Sequence, residues 1–249
     1  MMRDVRPRER PGSSERQGDV NVAATRGGAV TASAPEEIAA FTQAVHAAGG
    51  PVRRGKLVFA LDATMSRQPT WDAACAVQGR MFVEAARHGG LAVQLLYYRG
   101  FGECRASRFV RDGAALGTLM SKIYCRAGET QIGRVFSHMR KLAGEGLGAF
   151  VFIGDALEEN PDRLGRLAGE LGMLGVRGFF FQEGRERNVE AAYREFARLT
   201  GGAYARFDAK APQALADLLA AVAAFAAGGM TALEAEGGTA GRLLLGQMR

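Results

Sequence analysis

Between positions 56 and 227 the apolar residues fall into two alternating arrangements. Residues 57–61 (LVFAL) and 149–153 (AFVFI) are unbroken apolar runs, which predicts strands covered on both faces, and 91–98 and 176–181 extend the pattern. Residues 105–110 carry enough polar positions to predict an edge strand, reached by a tight turn over Gly100 to Glu103, and 203–207 form a last short strand. Between the strands, apolar residues recur three and four apart. Such stretches cover about 69–87, then two short helices, one with Leu116, Leu119, Met120 and Ile123 and one with Ile132, Val135, Phe136, Met139 and Leu142. Further helices are predicted to open at Asn160 and Pro161, to run over about 188–199, and to run as an amphipathic helix over 211–227. Strands alternating with helices predict βαβ units, hence an α/β fold whose mainly parallel sheet is covered on both faces.

The flanks read differently. Residues 1–32 are rich in Arg, Gly, Ser and Glu without an apolar face, so a flexible arm is expected. Ser33 and Glu36 predict a capped helix over 33–50 that stops at Gly49 and Gly50, ahead of a main domain over 56–227. Residues 228–249 are expected to be a tail, with Leu243 to Leu245 able to dock back.

Composition changes this picture little. With 47% hydrophobic and 23% charged residues in 249, the chain can form a full core. The net charge of +6 first suggests nucleic acid, but half of it falls on residues 1–56, where nine basic and six acidic residues leave +3. Arg99, Arg105, Arg108 and Arg111 are expected to be a solvated strand edge. No face combines aromatic residues with clustered base, so no nucleic-acid partner is expected. Cys75, Cys104 and Cys125 are odd in number and lack CxxC pairing, which argues against a disulfide framework or a zinc finger. No apolar run approaches the ~20 residues of a membrane span, and the N-terminus lacks an apolar signal core. A cytoplasmic protein without a membrane partner is therefore expected. His46, His88 and His138 offer too little for histidine-based catalysis or ligation.

In an open α/β sheet, ligands sit beyond the carboxyl ends of the strands. The first strand runs into Asp62-Ala63-Thr64-Met65-Ser66, the AFVFI strand into Gly154-Asp155, and Gly128-Glu129-Thr130-Gln131-Ile132-Gly133 places a third hydroxyl before a helix. Two carboxylates and three hydroxyls are hard oxygen donors suited to Mg²⁺ or Mn²⁺. The set contains no evident nucleophile or general base, so no catalytic residue is assigned.

The D-x-T-x-S loop, the Thr before a helix and the Asp after the fourth strand resemble the metal-ion-dependent adhesion site (MIDAS) of von Willebrand factor type A (VWA) domains, over roughly residues 56–227. The resemblance, closest to intracellular bacterial members, implies a Rossmann-like, doubly wound, three-layer fold with strand order 3-2-1-4-5-6 and strand 3 antiparallel at an edge. It implies that Thr64, Ser66 and Thr130 touch the metal and that Asp62 and Asp155 act largely through water. It further implies capture of an Asp or Glu from a partner protein, such as an AAA+ ATPase or a chaperone-like protein. Thr64 stands where Ser is usual, Glu129 where Gly is common, and Ala156 where Gly is frequent. Glu129 is expected to crowd the site or to occupy the open metal position, with Glu158 and Glu159 adding acidity.

A competing resemblance is to haloacid-dehalogenase-like phosphatases. There Asp62 would be the nucleophile, Thr64 or Ser66 would bind phosphate, Lys122 or Lys141 would neutralise it, and Asp155 with Glu159 would hold Mg²⁺. That reading leaves the GETQIG loop without a role and lacks the acid expected at position 64.

Overall fold

A computed structural model describes residues 55–208 and 210–248; the predicted arm and the helix over 33–50 lie outside them. Six strands, β1 (Gly55–Asp62), β2 (Leu91–Arg99), β3 (Glu103–Val110), β4 (Ala149–Gly154), β5 (Arg177–Glu183) and β6 (Ala203–Phe207), form one sheet in the order β3-β2-β1-β4-β5-β6. Every pairing is parallel except β2 with β3, so the expected α/β architecture and strand order are observed.

A turn of 3₁₀ helix, Met65–Arg67, leads into α1 (Gln68–Val77) and α2 (Gly79–Ala86). The remaining helices are α3 (Gly113–Met120), α4 (Ile132–Ala143), α5 (Pro161–Met173), α6 (Arg187–Thr200), α7 (Pro212–Glu236) and α8 (Thr239–Met248). Period-2 alternation in β1 sends Leu57, Phe59 and Leu61 into a core shared with α1 to α3, α7 and α8, and Val58 and Ala60 into a core shared with α4 to α6. The second core is aromatic. Phe136 meets Phe150, Phe180 and Phe196 edge-on, with ring centroids 5.7–6.0 Å apart.

The structure departs from the predicted elements in four places. The single helix expected over 69–87 is two, because the Gln78 side chain donates to the Gly113 carbonyl at 3.0 Å and Gly79 packs on Gly113, so α3 docks into the break. The helix expected over 211–227 continues to Glu236, with non-helical backbone at Gly229 (φ 71°), and α8 follows with Leu244 and Leu245 buried. By length and composition α7 is apolar enough to cross a membrane, contrary to the expectation from apolar runs, because alanines between its leucines keep an 18-residue stretch of it apolar. Its face against α1, α2 and β1 is core: Leu215, Leu219, Val222 and Ala223 are fully buried. Finally, Arg99 is no solvated edge residue, since its side chain lies between two tyrosine rings and pairs with Glu103.

Candidate functional site

β1 has β2 on one side and β4 on the other, so the chain leaves it in opposite directions and a crevice opens at the carboxyl end of the sheet. Register delivers the acids there. Leu61 pairs with Ile153, so Asp62 and the Gly154-Asp155 pair emerge side by side, and Asp62 lies against Tyr98 on β2.

The five candidate residues converge. Asp62, Thr64, Ser66 and Thr130 line one cleft of about 250 Å³ together with Met65, Ala127, Gly128, Ala156 and Glu158. Asp155 stands beside it, its Oδ2 accepting from Ser66 Oγ at 3.4 Å. The D-x-T turn closes on itself, with Thr64 N–H donating to Asp62 Oδ1 at 2.7 Å, and Thr64 Oγ1 lies 3.5 Å from Ser66 Oγ. Asp62 is 3% exposed and its Oδ2 is buried without a hydrogen-bond partner. Burial pushes its pKa above the ordinary 3.8; the Thr64 N–H and hydroxyl oppose this, and the Asp155 charge adds to it. The Tyr98 hydroxyl is near enough to lower the Asp62 pKa slightly, yet neither it nor Asp62 Oδ2 completes a hydrogen bond.

These donors suit a small hard cation. Two ligands at right angles on an octahedral Mg²⁺, each about 2.1 Å from it, lie about 3 Å apart. The 3.5 Å between Thr64 and Ser66 and the 3.4 Å between Ser66 and Asp155 need to close by only a few tenths of an ångström. Among the described residues no three His, Cys, Asp or Glu side chains gather on one point, so a cation here rests on two carboxylates and hydroxyls.

Of the other acids, Glu158 lines the cleft and Glu129 does not. Glu129 is exposed, outside the cleft lining, and neither crowds the cleft nor fills it. Glu158 and Glu159 are engaged by the backbone. Glu158 accepts from Thr130 N–H at 2.8 Å while its own N–H donates to Thr130 Oγ1 at 3.1 Å, which orients the third hydroxyl. Glu159 accepts from Ile132 N–H, and from Gly133 N–H at 2.9 Å, capping α4. Glu159 is thereby committed to α4, and Lys141, one of the two lysines offered by the phosphatase reading, lies in a separate groove between β2, β3 and α4.

Supporting residues came from far along the chain. Tyr193 on α6 donates to the Ala156 carbonyl at 3.0 Å and steadies the loop carrying Asp155. Gln131 Nε2 donates to the Arg99 and Gly100 carbonyls at 3.4 and 3.2 Å, tying the Thr130 loop to the β2–β3 turn. Gly128 packs so closely on that turn that a Cβ there would lie 2.3 Å from the Gly100 oxygen. The glycine was visible in the sequence; its neighbour was not.

A six-stranded sheet in this order, with one antiparallel edge strand and helices on both faces, defines a VWA-like domain. No family profile and no curated protein matches the chain. Among solved structures it is similar to the VWA domain of SpRpn10, with a TM-score of 0.54 and 15% identity over 68% of this chain and 95% of that one. It is also similar to the vWF domain of the type V pili tip protein Mfa5 from Porphyromonas gingivalis (TM-score 0.51, 11% identity, 68% of this chain and 94% of that one). A third similar structure is proximal thread matrix protein 1 from the mussel byssus, whose MIDAS motif is occupied by zinc (TM-score 0.52, 12% identity, 68% of this chain and 48% of that one).

Proposed function

We propose that this chain is a metal-dependent protein-binding module in which Asp62, Thr64, Ser66, Thr130 and Asp155 hold Mg²⁺ or Mn²⁺ to capture a carboxylate of a partner protein. The observation that carries this reading is that four of the five line one cleft, with Asp155 joined to it through Ser66, and that Asp62 keeps a buried oxygen with no hydrogen-bond partner. A buried anionic oxygen in that state costs free energy that a cation offsets. Three neutral hydroxyls donate little charge, so a cation held there offers an electrophilic position to an incoming carboxylate. The chain's own residues do the rest: Glu158 aims Thr130, the Thr64 N–H orients Asp62, and Tyr193 holds the Asp155 loop. The zinc-occupied MIDAS of the mussel protein supports metal binding by such a fold, and the all-oxygen donors here favour a harder ion. A cytoplasmic setting and a partner of the AAA+ or chaperone-like kind belong to the same proposal.

Thermal unfolding with Mg²⁺, Mn²⁺ or Zn²⁺ against EDTA tests the site. A ligand at a hundredfold excess over its Kd stabilises by about 2.7 kcal/mol, a rise in Tm of roughly 5–10 °C for a domain of this size. That rise is expected for wild type and lost in Thr130→Ala. Phosphoester turnover that vanishes in Asp62→Asn but survives in Thr130→Ala would overturn the binding-module reading.

A further inference from the structure

Three large apolar side chains stand in solvent on segments tied to the cleft loops: Met65 (63% exposed), Phe101 (82%) and Tyr124 (63%). Each sits on a loop tied to the site. Met65 lies between the two inward-facing hydroxyls of the first loop and lines the cleft itself. Phe101 is carried at the tip of the β2–β3 turn between Gly100 (φ 59°) and Gly102 (φ 106°), conformations that few other residues adopt, and that turn is bound to the Thr130 loop through Gln131 and Gly128. Tyr124 is pinned by Arg99, whose guanidinium lies 4.6 Å from its ring centroid and donates to its carbonyl at 2.8 Å. Arg99 is itself fixed by Glu103, at 3.0 and 3.1 Å, and by the Tyr97 ring at 5.5 Å. The segment after Tyr124 is anchored to the first loop by Arg126 N–H to the Ala63 carbonyl at 2.9 Å and by Cys125 N–H to Gln68 Oε1 at 3.2 Å.

Large apolar groups held in water by ordered hydrogen bonds gain nothing for the isolated fold, whereas a preorganised aromatic anchor loses little entropy on meeting a partner. Met65 lines the cleft, and Phe101 and Tyr124 are carried by segments bonded to its loops; the donors of that cleft suit a cation and hence an incoming anion. We propose that Met65, Phe101 and Tyr124 form an apolar rim that reads the residues beside the captured carboxylate, so that the partner presents a loop with Asp or Glu flanked by large apolar side chains. This rests on the carboxylate-capture reading of the cleft. It assigns the specificity to this chain's rim and the affinity for the acid to the cleft.

Selection from a randomised cyclic-peptide library on the full-length protein in Mg²⁺, with elution by EDTA, tests both levels. The expected clones carry an Asp or Glu next to Leu, Ile, Phe or Trp. Such a clone should bind Phe101→Ser/Tyr124→Ser at least tenfold more weakly than wild type. Val83→Ser, which alters a comparably exposed apolar residue on α2, should leave binding unchanged. Clones with an acid and no apolar bias, or equal binding by wild type and the rim variant, would overturn the rim while leaving carboxylate capture intact. EDTA-eluted clones without an acid, or clones equally retained by Thr130→Ala, would overturn the capture reading itself.

Discussion

Asp62 is the residue on which the chemistry turns. Its carboxylate is buried, one oxygen is occupied by the Thr64 N–H, and the other has no hydrogen-bond partner. The raised pKa means that the folded chain holds the Asp62 proton more tightly than the unfolded chain does. The penalty is therefore fully present above the folded pKa and is relieved as pH falls through it towards 3.8, the reverse of a salt-bridged aspartate. In EDTA, Asp62→Asn should then raise the Tm at pH 7, on the order of a few °C, and flatten the gain in stability that wild type shows on acidification. The same variant should lose the Mg²⁺-induced rise in Tm. A destabilised metal-free Asp62→Asn would show that the carboxylate is satisfied within the protein.

At the level of elements, the amino end of α4 and the loop after β4 are built as one unit. Four backbone N–H groups at a helix start need partners, and Glu159 supplies two of them from 26 and 27 residues away. Glu158 completes the junction through Thr130. Glu158 and Glu159 thus accept from backbone N–H groups, which leaves Asp62 and Asp155 as the carboxylates of the proposed cation site. Glu159→Ala should cost about 1–3 kcal/mol, seen as a lower Tm. It should also weaken Mg²⁺ binding, although Glu159 is no ligand, because a loosened Glu159 frees the neighbouring Glu158 N–H that orients the Thr130 hydroxyl. Unchanged Mg²⁺ affinity in an otherwise destabilised Glu159→Ala would separate the cap from the site.

For the whole molecule, α8 closes the sheet. β6 is an edge strand, and Gln247 covers part of that edge: its Oε1 accepts from Tyr204 N–H at 2.9 Å and its Nε2 donates to the Tyr204 carbonyl at 2.8 Å. Leu244 is fully buried and Leu245 nearly so, each contributing about 1.5–3 kcal/mol. Truncation after Glu236 should therefore lower stability by roughly 3–6 kcal/mol and expose a strand edge open to pairing. Size-exclusion chromatography is expected to show higher-order association of the truncated chain, while Gln247→Ala alone remains monodisperse and slightly less stable.

Periodicity determined the strand and helix order, because burial on two faces leaves continuous apolar runs such as LVFAL and AFVFI, and burial on one helical face leaves a three-and-four repeat. The D-x-T-x-S loop, Thr130 and Asp155 were legible for a related reason: each falls at a strand end or helix start that the periodicity had already located. Contacts between distant residues were not legible. Glu158 and Glu159 read as added acidity until the fold brought one to Thr130 and the other to the start of α4, and Arg99 read as a solvated edge until Tyr97 and Tyr124 enclosed it. The helix expected to end at Ala227 runs on past the Gly229 kink because Leu233, Leu244 and Leu245 find core positions beside it, and local pattern carries no record of such a surface. Local sequence thus decided which elements form and where chemistry could sit; only the tertiary structure decided which polar groups were engaged by the backbone and which were gathered at the cleft.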